Sequence, residues 1–422
     1  MSLLLLTTLA FANPADPAPS TDVPAEERDD DQPWRRVGWG FGAVPAVNFN
    51  TDDGFGFGAV ASIYRYDGQT SPYRTALTVI LFATTKAVQD HSIRLDALRV
   101  GNLPLRLNGR LTFRAYRSDN FCGFGNAVTC DPAVPEALLP ELNLPDEEAE
   151  EDFLRRYYLT RYINPNVDMI GRWEVDPMPH RFEVIGAIRA LTLRPGDFQT
   201  ATPYPNSLYA EVFPEGERGF LGVIQAGVML DNRDNEPAPI RGYWLEGSIR
   251  GASRLWGSDW DFFGFNVTSR TYVPLGTDRL VWANRVVVDG KATNSLPILE
   301  LAMPGGTQRY FTFGWLNAGR GIRQKRFIGE ALVMEQAELR WTALPLKVAR
   351  IPVDIGVLGF VDLGFVGADL SEFGTMFDTP LVGTGGGLRV AVDKNFIIRA
   401  DVGVSPTENY APRVYIDLNN TF

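Results

Sequence analysis

The feature that most constrains this chain is an unbroken alternation of apolar and polar residues over positions 105–116. The apolar positions are Leu105, Leu107, Gly109, Leu111, Phe113 and Ala115, and the polar positions are Arg106, Asn108, Arg110, Thr112, Arg114 and Tyr116. Because side chains of a β-strand alternate between its two faces, such a strand sets a row of apolar groups back to back with a row of arginines. At about ten residues, it is long enough for a tilted strand to cross a bilayer. The pattern predicts a transmembrane antiparallel β-barrel, with lipid outside and water inside.

Composition is compatible with this all-β class. Hydrophobic residues make up 45% of the 422 residues, which is typical when half of each strand is apolar. Aromatic residues at 12% and 41 glycines suit interfacial aromatic belts and tight turns. A soluble all-β protein has a similar composition, so composition does not separate the two. The net charge of -11 argues against a nucleic-acid partner.

The N-terminal residues predict export. An apolar run over residues 3–12 ends in Ala10-Phe11-Ala12, a small-x-small pattern typical of signal-peptidase sites. The run is too short to span a bilayer, so we interpret residues 1–12 as a signal peptide, although no Lys or Arg precedes the run. Residues 13–36, rich in Pro, Asp and Glu, predict a disordered periplasmic leader. The barrel is then expected over residues 37–422.

The two cysteines, Cys122 and Cys130, lie eight residues apart in a segment rich in Gly and Asn. In an exported protein this spacing favours a disulfide within a loop. A metal site is not expected, because the histidines His91 and His180 lie far from that segment and from each other. The acidic run at 146–152 is interpreted as a solvated loop; calcium binding is the alternative, but the ligand spacing of a known calcium loop is missing.

Segments with period two predict about sixteen strands. They are 37–50, 54–66, 73–85, 90–101, 104–117, 154–175, 181–195, 218–231, 241–254, 260–274, 279–291, 329–343, 350–366, 382–392, 395–405 and 412–422. Connections after even-numbered strands are short and rich in turn residues, namely 67–72, 101–103, 176–179, 231–241, 274–278, 343–350 and 393–394. The long connections, 118–153, 196–217 and 292–328, follow odd-numbered strands. This division is typical of outer-membrane barrels with short periplasmic turns and long extracellular loops.

Three segments narrow the family. The first is a turn after the eighth strand that contains Asp231, Arg233, Asp234 and then Gly242. The second is Arg320-Gly321-Ile322, in the loop after the eleventh strand. The third is Phe360-Val361-Asp362-Leu363-Gly364, in the thirteenth strand. In this order and placement they resemble the Omp85 superfamily, the BamA/TamA-like surface antigen D15 barrels, over essentially residues 37–422.

The resemblance implies that the loop after the eleventh strand folds into the lumen. Its arginine, Arg320, would pair with Asp362, beside Phe360 and on the same inward face as Gly364. The alternative is that these are two unrelated solvated charges. The chain departs from the family motif at Gly319, where a branched residue is usual, and at Ile322, where an aromatic is usual. The residues before the first strand leave no room for POTRA domains, so we expect a barrel without them.

The first and last strands are expected to form a weak seam. Residues 37–50 contain several glycines and alanines and Pro45, which cannot donate a ladder hydrogen bond. The last strand would place Leu418 and Phe422 toward lipid and Tyr415 toward the lumen, and its ending on Phe422 resembles the C-terminal signal of outer-membrane proteins. A gap at this seam could admit a substrate strand by edge addition. The alternative is that Pro45 and the glycines serve curvature alone.

The sequence therefore predicts an outer-membrane barrel that assists translocation or insertion of polypeptide, or lipid, at the bacterial outer membrane. The alternative is a passive pore or a structural surface antigen. Catalysis is not expected, because the two histidines cannot supply a rim triad, and no cofactor is predicted. Expected partners are outer-membrane lipid, the barrel-assembly machinery for its own insertion, and no nucleic acid. A separate POTRA-bearing or lipoprotein partner could supply periplasmic modules, and the barrel itself is expected to be a monomer.

Overall fold

The protein is described here by a computed structural model, which covers residues 37–70, 72–175, 181–293, 295–307, 313–348, 351–392 and 396–422. These residues form a closed antiparallel β-barrel of sixteen strands, each paired with its sequence neighbours and the last paired with the first. The predicted fold class is confirmed. The predicted signal peptide, residues 1–12, and the leader, residues 13–36, lie outside the described residues.

The strands divide into a first half and a second half along the chain. The first eight are β1 (Val37–Asn50), β2 (Gly54–Asp67), β3 (Thr75–Thr84), β4 (Gln89–Ala97), β5 (Leu105–Asn120), β6 (Leu159–Glu174), β7 (Arg181–Pro195) and β8 (Gly219–Asp231). The others are β9 (Gly242–Ala252), β10 (Phe262–Pro274), β11 (Leu280–Thr293), β12 (Ala331–Val348), β13 (Ile351–Gly367), β14 (Leu381–Val392), β15 (Phe396–Val404) and β16 (Arg413–Leu418).

Short helices lie in the long connections. They are α1 (Ala133–Leu142) and α2 (Glu147–Arg156) between β5 and β6, α3 (Leu208–Val212) between β7 and β8, and α4 (Ile298–Leu301) between β11 and β12. In the described part of the chain, no helix combines the length and apolar character needed to cross a membrane. We call the barrel end that carries these connections the long-loop end, and the opposite end the short-turn end.

Three predicted boundaries are wrong for identifiable reasons. The acidic run at 146–152 is not a loop but begins α2, because Asp146 caps the helix by accepting the Ala149 N–H at 2.8 Å. Acidic residues in its first turn and arginines in its last also suit the helix dipole. β6 consequently begins at Leu159 rather than 154. β12 runs to Val348 instead of turning at 343, through an irregularity between Thr342 and Leu344 that preserves its pairing with β13.

The end of the chain is also placed differently from the prediction. β16 ends at Leu418, and the following residue, Asn419, has a positive φ of 65° that turns the backbone out of the sheet. Phe422 is therefore not in the lipid-facing row with Leu418 but is 6% exposed inside the barrel. The predicted turns at 176–179 and 393–394 and the histidine His180 lie outside the described residues.

The two faces of each strand have opposite environments. In β5, Leu111 on the outer face is 52% exposed, whereas the neighbouring Thr112 on the inner face is 2% exposed. Tryptophans project outward near the short-turn end, at Trp39, Trp173, Trp282 and Trp341. Such residues are typical of the interfacial belt of a membrane barrel, so this ring marks one boundary of the lipid-facing band.

The predicted arginine row of β5 faces the lumen and is paired there. Arg106 donates to both carboxylate oxygens of Asp96, at 3.0 and 2.9 Å, and Asn108 donates to the same group at 2.8 Å. Arg114 lies 3.0 Å from Asp90 on β4. These partly exposed ion pairs line the interior of the barrel, where a charge costs far less than on the lipid face.

Candidate functional site: the docked loop and the seam

In the connection between β11 and β12, the described residues 295–307 and 313–330 fold back into the barrel; we call these residues the inward loop. Its turn passes through Gly319 and Gly321, whose φ values of 68° and 99° are in the left-handed region. A Cβ on Gly319 would also lie 2.7 Å from the ring of Phe313. The departure from the family motif at Gly319 is thus required by this backbone, because a branched residue could not adopt it without strain.

Arg320 is the centre of the docked segment and is fully buried. Its Nε and Nη2 donate to the two carboxylate oxygens of Asp362 at 3.0 and 2.9 Å, and its backbone N–H donates to Asp362 at 2.9 Å. The guanidinium carbon lies 3.5 Å from the ring centroid of Phe360, a cation–π contact. The structure therefore brings together the arginine, the aspartate and the aromatic residue that the motifs singled out.

Two further carboxylates complete the environment of Arg320. Its Nη1 donates to Glu338 on β12 at 2.7 Å and lies 3.6 Å from Asp401 on β15. Each of these carboxylates has a second cation, Arg340 for Glu338 at 2.7 Å and Arg389 for Asp401. The sequence analysis did not identify either carboxylate as a partner of Arg320. The signal in the sequence was that each carboxylate lies on the lumen-facing side of its strand.

Glycines in the barrel wall make room for the loop backbone. A Cβ on Gly383 would collide with the carbonyl oxygen of Arg320, and a Cβ on Gly403 would lie 2.7 Å from the N atom of Gly321. Gly364, from the third motif, packs under the ring of Phe313. Strands β13 to β15 therefore present a glycine-lined groove into which the loop backbone fits at van der Waals contact.

The residues after Arg320 extend the docking toward the last strand. The Gly321 N–H donates to the hydroxyl of Tyr415 on β16 at 3.0 Å. Ile322 is fully buried in an apolar cluster with Phe313, Phe327 and other residues of the loop and wall. An aliphatic side chain thus fills the space at this position, where the family motif has an aromatic.

The tip of the inward loop contacts the long-loop end of both terminal strands. The Gln324 N–H donates to Asp52, just after β1, at 3.2 Å, and Asp52 also accepts from Arg413 at the start of β16 at 2.6 Å. Lys325 is buried against Asp119 and the hydroxyl of Tyr162. The loop therefore ties together elements on both sides of the junction between β1 and β16.

A second, separate ionic cluster holds the earlier part of the same loop. Glu300 in α4 lies 2.6 Å from Arg189 and 3.7 Å from Arg250. The two terminal nitrogens of Arg250 donate to the two carboxylate oxygens of Asp289, each at 3.0 Å. The Nζ of Lys291 lies 2.9 Å from the same carboxylate. All of these side chains are almost completely buried. The sequence reasoning did not identify this anchor.

Loops from three connections pack together at the long-loop end. Phe121, Tyr209, Ile298 and Ile328 share an apolar cluster with inward residues of β7 to β10. Within it, the buried carboxyl of Glu217 accepts the Ile298 N–H at 2.9 Å and lies 3.2 Å from the Tyr209 hydroxyl. Burial raises the pKa of Glu217 to about 8, although both hydrogen bonds act to lower it. The three connections therefore pack against one another and against the inward residues of β7 to β10 at this end.

The junction of β1 and β16, which we call the seam, is much shorter than the other strand contacts. Among the described residues, β1 pairs with β16 only at Phe49↔Ile416 and Asn50↔Tyr415, whereas β1 pairs with β2 along its whole length. Both pairs lie toward the long-loop end. The rest of β1, including Pro45, therefore has an edge with no strand partner from β16 in the described chain.

The predicted turn motif after β8 lies away from the inward loop. In the turn after β8, Asp231 binds Arg233 through two bonds of 2.9 Å, and Asp234 accepts the N–H groups of Ile240 and Arg241. Gly242 follows with a φ of 102°. This turn, at the short-turn end, is held by its own side chains.

The predicted disulfide is present, and His91, from which no site was expected, lies on the outer face of the barrel. Cys122 and Cys130 are joined by a disulfide at the long-loop end, with their Cα atoms 5.4 Å apart. His91 stacks on Phe113 on the outer face, with ring centroids 6.3 Å apart. The segment closed by the disulfide contacts the inward loop, because the Gly125 N–H donates to the Ile328 carbonyl at 2.8 Å and Val128 packs against the apolar cluster that contains Ile322.

Comparison with known proteins gives a family match and structures of similar fold. Residues 202–421 match the model of the Omp85 superfamily domain. The structure is similar to BamA from Haemophilus ducreyi lacking POTRA domains 1–3, with a TM-score of 0.55 and 11% identity, covering 91% of this chain and 70% of that chain. It is also similar to CdiB from Acinetobacter baumannii, with a TM-score of 0.49 and 14% identity, covering 91% of this chain and 66% of that chain. No curated protein matches the sequence.

Proposed function

Since the chain belongs to the Omp85 superfamily, as the match over more than half of its length shows, we propose that it assists the insertion or translocation of polypeptide at the bacterial outer membrane. The short-turn end then faces the periplasm and the long-loop end faces outward. The alternative function is that of a passive pore or a structural surface antigen. Unlike the proposed function, it does not require two neighbouring strands to separate.

The observation that carries the proposal is the short seam. Antiparallel neighbours are held by ladder hydrogen bonds along their paired length, so a contact of two residue pairs is the weakest in the barrel wall. The free part of β1 presents backbone N–H and C=O groups to any strand that arrives from the periplasm. A client strand would add to this edge by backbone hydrogen bonding, which requires no particular client sequence.

The inward loop argues against an open pore. Its two anchors, at Arg320 and at Glu300, fix it inside the lumen, and the loops at the outer end pack over it. Water and small solutes therefore meet side chains rather than a clear channel. A lateral route through the seam does not need the lumen to be clear.

The proposal is tested by locking the seam with a reversible crosslink. Phe49→Cys and Ile416→Cys place two thiols at directly opposed positions, and a matched control pair, Val47→Cys and Phe57→Cys, lies in the fully paired β1–β2 hairpin. Each protein is reconstituted in liposomes, and the assembly of an added unfolded outer-membrane barrel polypeptide is followed by protease protection.

We expect the wild-type protein to accelerate assembly and the oxidised seam pair to lose that acceleration. Reduction of the seam pair should restore it, and the oxidised control pair should behave as wild type. The proposal is wrong if the locked barrel still accelerates assembly. A steady single-channel conductance that is unaffected by the lock would instead support the passive pore.

A further inference from the structure

The last four residues of the chain leave the sheet and dock inside the lumen. The Asn419 N–H makes the final sheet bond, to the carbonyl of Ile397 at 2.7 Å. Asn420 then donates to the carbonyl of Pro237, in the turn after β8, at 3.2 Å. Thr421 accepts from Arg399 at 2.7 Å. Asn419, Asn420 and Thr421 thus each make a specific hydrogen bond, so these residues are bound and do not form a frayed strand end.

Phe422 fills a pocket formed by aromatic and cationic side chains. The guanidinium carbons of Arg285 and Arg340 lie 5.1 and 5.0 Å from its ring centroid, and the ring of Tyr272 lies 6.4 Å away. Arg340 also donates to the backbone oxygen of Phe422 at 3.1 Å. We call this set, Tyr272, Arg285 and Arg340 with the apolar Val281 and Ala283, the aromatic pocket.

The two arginines of the aromatic pocket are positioned by groups other than Phe422. Arg340 donates to Glu338 at 2.7 Å, and Arg285 bonds to Gln336 and to the carbonyl of Asn317 in the inward loop. These contacts do not depend on an occupant. The pocket is therefore expected to keep its shape when Phe422 is removed, which is a condition for binding a ligand from outside.

The two arginines of the aromatic pocket favour an aromatic ring over an aliphatic side chain. A ring with two guanidinium groups about 5 Å from its centroid gains the attraction of its negative face for each cation, which an aliphatic side chain of the same size lacks. An aliphatic group there would fill the volume but leave both cations facing an apolar surface. The chemistry therefore distinguishes phenylalanine from leucine.

We propose that the aromatic pocket is a binding site for the aromatic side chain of a peptide, with Phe422 as its ligand within the same chain. A peptide of similar pattern from another polypeptide would compete for the same place. Occupancy also has a consequence at the seam, which rests on the proposed function: while residues 419–422 are docked, β16 ends at Leu418 and cannot extend along β1. The binding itself does not depend on that function.

The test uses the full-length barrel in detergent with its own ligand removed by Phe422→Ala. The probe is an N-terminally labelled peptide, Asn-Asn-Thr-Phe with an amidated end, and binding is followed by fluorescence anisotropy. We expect the variant to bind the probe and a Leu-ended peptide to bind about tenfold more weakly, since a desolvated cation–π contact corresponds to roughly that ratio. The wild-type barrel should bind the probe at least about tenfold more weakly, because the linked Phe422 competes at an effective concentration near the millimolar range.

Two comparisons make the result specific to the aromatic pocket. Arg340→Gln in the Phe422→Ala protein should reduce the preference for Phe over Leu, because Arg285 alone then faces the ring, whereas Arg94→Gln, a lumenal arginine outside the pocket, should leave it unchanged. If Phe422→Ala does not fold, Phe422→Leu keeps the volume filled, and the Phe probe should displace the weaker internal ligand. Equal binding of Phe- and Leu-ended peptides, or an unchanged preference in Arg340→Gln, would overturn the inference. Peptide binding by a protein that fails the assembly assay would leave this inference standing and remove the proposed function.

Discussion

The most direct prediction concerns the buried contact between Arg320 and Asp362. Arg320→Ala removes the two hydrogen bonds that the guanidinium donates to Asp362, and it leaves a carboxylate with 0% exposure without its counter-charge. Breaking a buried ion pair in this way costs about 3–5 kcal/mol, because the remaining charge is still desolvated. The docked state of this loop segment should therefore lose about two to three and a half powers of ten in its equilibrium constant.

Limited digestion with trypsin measures that change directly. The neighbouring cleavage sites Lys325 and Arg326 are 1% and 8% exposed in the docked loop, so cleavage requires the segment to leave the lumen. When opening is fast relative to cleavage, the digestion rate follows the population of the open form. We expect Arg320→Ala to be cut at these sites about 100-fold faster or more, by the conversion of free energy to equilibrium constant.

Matched variants separate the ion pair from a general loss of stability. Arg320→Lys keeps the charge but cannot donate two parallel bonds, so its cleavage rate should be intermediate. Adding Asp362→Asn to Arg320→Ala should recover part of the loss, since the uncompensated charge is then removed. Arg94→Ala, whose guanidinium bonds to Ser92 at 3.3 Å, should match wild type. A folded Arg320→Ala protein that resists trypsin as wild type does would refute the reasoning.

Three further outcomes are expected. Glu217 is ionised in the unfolded chain above its ordinary pKa of 4.5, but in the folded protein it stays protonated up to about pH 8. The folded state therefore holds an extra proton between these values, and the free energy of unfolding falls as the pH rises from about 4.5 to about 8. Glu217→Gln should flatten the resulting fall in melting temperature between pH 5 and pH 9. Gly383→Ala should accelerate trypsin cleavage of the inward loop because its Cβ meets loop backbone, whereas Gly42→Ala, with no atom within 4 Å, should not. Cys122→Ser should destabilise the connection between β5 and β6 by about 2–3 kcal/mol on loop-entropy grounds, measured as faster proteolysis of residues 121–158.

The strands could be predicted because a membrane barrel imposes the same two-faced environment on every strand. The alternation in β5 is visible without any partner, and the placement of Arg320 and Asp362 follows from the family motifs. The α2 helix was missed because an acidic run looks like a solvated loop unless Asp146 is weighed as a helix cap. The position of Phe422 depends on one residue, Asn419, whose left-handed backbone no periodicity reveals.

The missed part of the site depends on contacts between segments distant in sequence. Glu338 becomes a neighbour of Arg320 through the register that pairs it with Phe360 across β12 and β13. The anchor at Glu300 requires α4 to lie inside the barrel, where it meets Arg189 from β7. The alternation within a strand predicts the face on which a charged side chain lies, but it does not predict which loop residue will contact that side chain.

The position of the paired residues within the seam gives the barrel a polarity. Because Phe49 and Asn50 lie at the outer end of β1, the two terminal strands are joined there, and the rest of β1 toward the periplasmic end has no partner in β16 among the described residues. Opening of the whole seam therefore requires this outer joint to release, and the contacts of Asp52 with Arg413 and Gln324 reinforce it. Under the proposed function, a client strand would pair first with the free periplasmic part of β1, and the outer joint would release last.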